Sequence, residues 1–79
     1  MDAPSALIIE KLSQGALPVA DPLKLWIGYG TGRRCDGCDE VISESMQEQE
    51  VEMPGGLILR LHVPCHTLWR TLKDTRPQP

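Results

Sequence analysis

Three cysteines and one histidine at fixed spacing constrain the fold of this chain more than any other feature. Cys35 and Cys38 form a C-x2-C pair, His62 and Cys65 form an H-x2-C pair, and residues 39–61 separate the two pairs. Each pair suits a tight turn whose two side chains can converge on one ion, while the intervening residues fold back as a hairpin. The spacing therefore predicts a tetrahedral Zn²⁺ site. Its predicted ligands are Cys35, Cys38, His62 and Cys65.

A site with four protein ligands is closed, because no coordination position remains for water or a substrate. We therefore expect one structural Zn²⁺, no catalytic residues, no small-molecule substrate and no enzymatic activity, since the sequence lacks a convergent acid, base and nucleophile. His66 is the one histidine outside the two pairs. On a helix it points away from Cys65, so we predict a surface residue, with replacement of one of the four ligands as the minor alternative.

Other uses of the cysteines fit the sequence less well. A thioredoxin-like redox pair needs a βαβ context, which nothing before Cys35 supplies, and covalent haem needs a histidine where Asp39 stands. An odd number of cysteines and the absence of a signal peptide argue against disulfides. Three unrelated buried thiols remain the open alternative.

Size and charge limit what the chain can do. With 79 residues and three aromatic side chains, it can bury one small core, which is marginal without a staple. Structural zinc contributes on the order of 10 kcal/mol to folding. The formal net charge of −3 opposes non-specific binding to duplex DNA. No apolar stretch approaches the roughly 18 to 20 residues that span a bilayer, so we expect a cytoplasmic protein without a membrane segment.

Residues 1–15 predict a short amphipathic helix. Asp2 or Ser5 can cap it, Pro4 suits its first turn, and Gly15 can end it. Its apolar side chains form one stripe, which either packs in the core or docks on a partner. The stripe comprises Leu7, Ile8 and Leu12, with Ile9 beside them.

Residues 16–34 are predicted as a linker or loop segment. Apolar residues alternate along it as in a strand, but Asp21-Pro22 also suits a helix start, so both remain open. The alternating residues are Leu23, Leu25 and Ile27. Three glycines follow, at positions 28, 30 and 32. Their spacing does not fit a dinucleotide-binding loop, and we expect them to let the backbone pass close to the metal knuckle.

Residues 35–74 are predicted as the zinc-binding domain. Between the ligand pairs the sequence alternates with a period of two, which predicts two strands joined by a turn at Pro54-Gly55-Gly56. Val51 and Met53 lie on one face of the first strand, and a solvated acidic face carries Glu48, Glu50 and Glu52. The second strand places Leu57, Leu59, Leu61 and Val63 opposite Ile58, Arg60 and His62. A helix over about residues 64–74 follows, and residues 75–79 are predicted as a disordered tail. One face of that helix carries Cys65, Leu68, Trp69 and Leu72.

A knuckle, a hairpin and a helix that donates the last ligand resemble the treble-clef arrangement. The ligand pattern is similar to the zinc modules of LIM domains and of poly(ADP-ribose) polymerases. About half the chain also resembles small uncharacterised bacterial proteins with the pattern G-x-G-x-x-C-x2-C…E-x-E…L-R-x-H-x2-C-x3-W. These residues run from Gly30 to Cys38, Glu50 to Glu52, Leu59 to His62 and Cys65 to Trp69. The resemblance implies a small α+β zinc-stabilised domain with a treble-clef-like knuckle, a β-hairpin and a C-terminal helix, plus the short N-terminal helix. Only the four ligands carry over, because a second LIM zinc site and strongly basic character are missing.

The predicted function is a zinc-stabilised, non-enzymatic binding module, an adaptor or regulator that contacts another protein or a second copy. Small folds with exposed apolar surface use it for association. The residues proposed for this contact are Leu7, Ile8, Trp26 and Tyr29. The alternative is a nucleic-acid-binding zinc finger with a basic patch that the net charge conceals. Its residues would be Arg33, Arg34, Arg60, Arg70 and Lys73.

Overall fold

The computed structural model describes residues 3–75 and their side chains from residue 4 onward. The fold has two helices and a three-stranded antiparallel sheet whose strands lie side by side in chain order, in agreement with the predicted small α+β class. The elements are α1 (Ala3–Gln14), β1 (Lys24–Tyr29), β2 (Gln47–Glu52), a 3-10 turn (Pro54–Gly56), β3 (Ile58–His62) and α2 (Val63–Asp74). The predicted cap Asp2 and residues 76–79 of the predicted tail lie outside the described residues. Neither helix within residues 3–75 has the length and apolar character needed to cross a membrane.

Helix α1 ends where the sequence predicts. Gly15 adopts a φ of 80°, a conformation that favours glycine, and Ala16 N–H donates to the Lys11 carbonyl at 2.8 Å. The apolar stripe turns into the core and packs against α2, with Ile8 at 0% exposure and Leu12 also buried. The proposal that Ile8 contacts a partner is therefore wrong, because its side chain is occupied inside the molecule.

Strand β1 occupies part of the segment predicted as a linker. It pairs with β2 in a register that places Leu25 opposite Val51 and Trp26 opposite Glu50. Helix α2 packs on β2 and β3, so β1 lies at the uncovered side of the sheet and all six of its residues are exposed. This segment forms a strand and not a helix, because it pairs with β2, which is distant in sequence.

The β2–β3 hairpin has the predicted alternation on its apolar face. Val51, Met53, Leu59 and Leu61 are buried, and Gly55 and Gly56 take positive φ in the turn. Leu57 departs from the predicted face and is exposed, because it lies in the turn before β3.

The prediction of a solvated acidic face is wrong for Glu48, which is 6% exposed. Its carboxylate accepts a hydrogen bond from Thr31 Oγ1 at 3.4 Å and lies 3.8 Å from Arg60 Nε. Arg60 also pairs with Glu50 at 3.3 Å. These partners satisfy the buried charge, as a carboxylate at that depth requires.

Helix α2 carries one buried face centred on Trp69, whose indole Nε1–H donates to the Pro18 carbonyl at 2.9 Å. The chain before β1 is thereby held against α2. It covers two residues that the sequence analysis placed at the surface, His66 and Lys73. The prediction of a surface His66 is wrong, because its side chain is buried at 7% exposure and packs at 5.8 Å, between ring centroids, against Trp69.

Candidate metal centre

The four residues predicted as ligands converge on one point. One donor atom from each of Cys35, Cys38, His62 and Cys65 lies within 4.8 Å of the other three. His62 Nδ1 is 3.4 Å from Cys38 Sγ and 3.8 Å from Cys65 Sγ. Tetrahedral zinc bonds of about 2.0–2.3 Å would separate the donors by roughly 3.5–3.8 Å. The group therefore has the dimensions to hold one metal ion.

The first pair sits on a tight turn between β1 and β2. Asp39 N–H donates to the Cys35 carbonyl at 2.9 Å, and Asp39 takes a φ of 68°, which closes the turn. Gly37 N–H and Cys38 N–H both point at Cys35 Sγ, at 3.3 and 3.5 Å. These donors can offset the negative charge of a thiolate. Glycine at position 37 leaves room for the core, because a Cβ there would stand 3.1 Å from the Leu61 side chain and 3.2 Å from that of Ile8, both tight contacts.

The second pair spans the junction of β3 and α2. His62 is the last residue of β3, and Cys65 lies in the first turn of α2, with Pro64 between them. Proline suits that turn because its missing N–H would have no partner there. His62 N–H points at Cys35 Sγ at 3.4 Å, which links the two ligand pairs through the backbone as well.

The imidazole of His62 is oriented by a carbonyl that sequence reasoning missed. Its Nε2 lies 3.1 Å from the Val41 carbonyl. A carbonyl can only accept, so Nε2 carries the proton and Nδ1 presents its lone pair to the cluster. Metal-binding histidines are commonly held in this way by a partner on the other ring nitrogen. The sequence gives no signal for this contact, since any residue has a carbonyl.

Asp36 is a second contributor outside the ligand set. Its carboxylate accepts the Arg60 N–H at 2.7 Å, and its own N–H donates to the Arg60 carbonyl at 2.8 Å. The turn that carries the first ligand pair is therefore hydrogen-bonded along the outer edge of β3. An aspartate inside a C-D-G-C turn was the available signal, because Asp side chains often accept backbone N–H groups in turns.

Burial determines the protonation of the thiols when no ion is bound. It raises the pKa of both the Cys38 and the Cys65 thiol, and the nearby Cys35 sulfur raises each further. Both thiols therefore keep their protons at neutral pH without a metal. A bound cation reverses this preference and releases the protons.

An open groove of about 720 Å³ runs beside the cluster, and Cys38, His62 and Cys65 line it together with apolar side chains such as Met46 and Leu68. The groove gives an ion a path to the donors. His66 does not belong to the group of donor atoms found among residues 3–75. Its Nε2 is buried without a hydrogen-bond partner in the described part of the chain.

Two of the five basic residues proposed for nucleic-acid binding are paired with acidic side chains. Arg60 pairs with Glu48 and Glu50, and Lys73 is buried between Asp21 and Asp74 at 2.9 and 2.7 Å. Arg34 donates to the Asp39 carbonyl, while Arg33 and Arg70 are exposed. Acidic partners offset much of the positive charge that the alternative function needs.

No protein-family model, curated protein or solved structure matches the chain. The interpretation of the site therefore rests on its geometry and donor chemistry.

Proposed function

We propose that this protein is a zinc-stabilised, non-enzymatic module that binds another protein chain through strand β1. Zinc is the ion that the donor set favours, because three thiolates and one imidazole in a compact tetrahedral group suit it. The turn, hairpin and helix around the four donors support the further proposal that the module is treble-clef-like.

The ion has a structural role in this proposal. Its ligands come from the turn after β1, the end of β3 and the start of α2. A bound ion would hold these three parts together at one point beside the core. Four protein donors complete a tetrahedral shell and leave no position for substrate, which supports a role without catalysis.

The binding role rests on the exposed apolar side chains of β1. Trp26 is 45% exposed, Ile27 57% and Tyr29 77%, and Leu25 and Leu23 beside them are also exposed. Leu25, Ile27 and Tyr29 share one face of the strand, and Trp26 lies on the other. Exposed apolar side chains grouped along one edge strand of a small protein mark an interaction surface. Aromatic residues are enriched at such interfaces.

The test combines metal content with association. Native mass spectrometry of the purified protein is expected to give one Zn²⁺ per chain. The double variant Trp26→Ser/Tyr29→Ser should keep its zinc and circular dichroism spectrum but lose association with protein, either a second copy or another chain. The matched control is Leu57→Ser, because Leu57 is similarly exposed at 49% but lies in the β2–β3 turn.

Two results would contradict the proposal. A folded protein that contains no metal would remove its zinc component. Association that persists unchanged in the double variant would show that β1 is not the binding surface.

A further inference from the structure

The two outer edges of the sheet differ in how their backbone groups are used. Along β3, Asp36 pairs with both the N–H and the carbonyl of Arg60, and His62 N–H points at Cys35 Sγ. Along β1, no strand among residues 3–75 pairs with the outer side. An uncovered edge is a template for pairing with another strand. The molecule therefore has one blocked edge and one open edge.

The register of β1 shows which groups point outward. Gly30 N–H donates to the Met46 carbonyl on the β2 side, and the Trp26 carbonyl accepts from Gln49 Nε2 of β2. The N–H and carbonyl groups of successive residues point alternately to the two sides of an antiparallel strand. Residues 24, 26 and 28 therefore face β2, and the N–H and carbonyl groups of Leu25, Ile27 and Tyr29 point away from the sheet.

We propose that β1 pairs antiparallel with β1 of a second copy, around a two-fold axis at Ile27. This inference rests on the proposed binding role of β1 and names its partner. The two three-stranded sheets become one of six strands. A two-fold axis perpendicular to the sheet makes the interface isologous, so that each residue faces a residue of the same side.

The side chains of β1 are complementary to themselves in this register. On the face shared with Val51, Leu25 lies opposite Tyr29 of the second copy, and Ile27 lies opposite Ile27. Pairs of aromatic and β-branched or aliphatic side chains stabilise neighbouring strands. All three residues whose backbone groups point away from the sheet are thereby paired with residues of β1 in the second copy.

On the opposite face, Trp26 lies over Gly28 of the second copy. A Cβ built on Gly28 would meet nothing within 4 Å, so the space above this glycine is open. The half-exposed Trp26 ring can fill it, and aromatic side chains across from strand glycines are a recognised device for fixing register. A register centred on Trp26 instead would place Lys24 over Gly28 and leave that space to a flexible chain.

Charge and area favour a second copy over a strongly charged partner. Residues 25–29 carry no charge, so two chains of net charge −3 meet at a neutral seam. The exposed parts of the four large apolar side chains of β1 amount to roughly 400 Å² per copy, judged from typical side-chain areas. This is about half of the ~800 Å² per partner in a standard interface. The expected dimer is therefore weak, with a Kd on the order of 10–100 μM.

Sedimentation velocity of the zinc-loaded full chain between 5 μM and 1 mM tests the proposal. The wild type is expected to shift from monomer to dimer within this range. Ile27→Lys places like charges directly opposite at the axis and should raise the Kd at least about tenfold. Leu57→Lys is the matched control, since it adds the same charge at a similarly exposed leucine away from β1, and it should dimerise as the wild type does.

A mixing experiment locates the axis. Ile27→Lys and Ile27→Glu are each expected to be monomeric, and an equimolar mixture should form the heterodimer in native mass spectrometry. A wild type that stays monomeric at 1 mM would overturn the second copy as partner, as would a dimer that Ile27→Lys leaves intact. If such a monomer still bound a different protein through Trp26 and Tyr29, the proposed binding role would stand and this inference would fall. If the wild type neither dimerised nor bound a different protein through β1, the proposed binding role itself would be contradicted.

Discussion

Removal of the metal is expected to unfold this protein. A domain of 79 residues has a net stability of about 4–12 kcal/mol at the usual 0.05–0.15 kcal/mol per residue. A structural zinc site contributes on the order of 10–16 kcal/mol at neutral pH. The contribution of zinc exceeds the net stability over most of these two ranges, so a strong chelator should take away most or all of the folding free energy. In the structure the loss falls on the core directly, because Cys35 and Cys65 are buried among its apolar side chains.

The two tryptophans provide the assay. Trp69 is fully buried and Trp26 is half exposed, so a Trp26→Phe variant reports the core through one fluorophore. On chelation we expect its emission to shift to longer wavelength while the helical circular dichroism signal disappears, and added Zn²⁺ should restore both. The two histidines supply a matched pair. His62→Met should prevent zinc binding and folding, whereas His66→Met should retain both.

One result would refute this reasoning. If mass spectrometry showed the chelated protein to be free of metal while its thermal transition stayed at the same temperature, the core would be stable by itself. The four donor side chains would then be neighbours without a shared ion.

Three other predictions follow from close contacts and buried charges. Gly30→Ala should destabilise the protein by more than about 3 kcal/mol, because the added Cβ would stand 2.1 Å from the backbone oxygen of Ser43. Gly28→Ala is the control, since its Cβ meets open space and should cost about 1 kcal/mol or less. Urea denaturation measures both free energies of unfolding. His66→Met should stabilise by about 1 kcal/mol, because it removes a buried nitrogen without a partner. Burial lowers the pKa of His66, so below about pH 6.5 the unfolded chain binds the proton more readily and the wild type loses stability. The gain in stability from His66→Met should therefore grow from pH 7 to pH 5. A gain that stayed constant in thermal melts over this range would contradict the argument. Fluorescence anisotropy at low salt should detect no binding to DNA or RNA, since Arg60 and Lys73 are neutralised by acidic partners.

The clustering of the four donor residues and the hairpin could be predicted from sequence because both are set by local chemistry. Two short cysteine and histidine spacings define the donors, and a period of two around Pro54-Gly55-Gly56 defines the strands. The apolar face of α2 follows equally from residues spaced three and four apart. Each of these signals is complete within about 15 residues.

What could not be predicted depends on contacts between distant segments. Residues 24–29 form a strand because they pair with β2, which is distant in sequence. The sequence of this segment alone did not distinguish a strand from a helix. His66 and Lys73 are buried because the chain before β1 crosses α2, where Trp69 Nε1–H reaches the Pro18 carbonyl. Lys73 keeps its charge there through hydrogen bonds to Asp21 and Asp74. No periodic pattern in the sequence predicts that the chain before β1 packs across α2.

In the proposed zinc-bound form, the ion and the outer edge of β3 would be coupled through the turn that carries Cys35 and Cys38. That turn blocks the outer edge of β3 by way of Asp36, and it holds its position at that edge through the ligand cluster. With the ion bound, the proposed association through β1 should therefore close at two copies, because neither outer edge of the proposed six-stranded sheet would be free. Loss of the ion would release the turn and unfold the chain, which exposes the apolar core residues and the unpaired strand segments. We therefore expect chelated protein to scatter light at concentrations where the zinc-loaded protein is a clear solution of dimers. Ile27→Lys should remove the dimer without preventing this aggregation, because the aggregation starts from the unfolded chain and not from pairing through β1. A chelated protein that remained monomeric and clear would show that the ion is not what keeps these segments from aggregating.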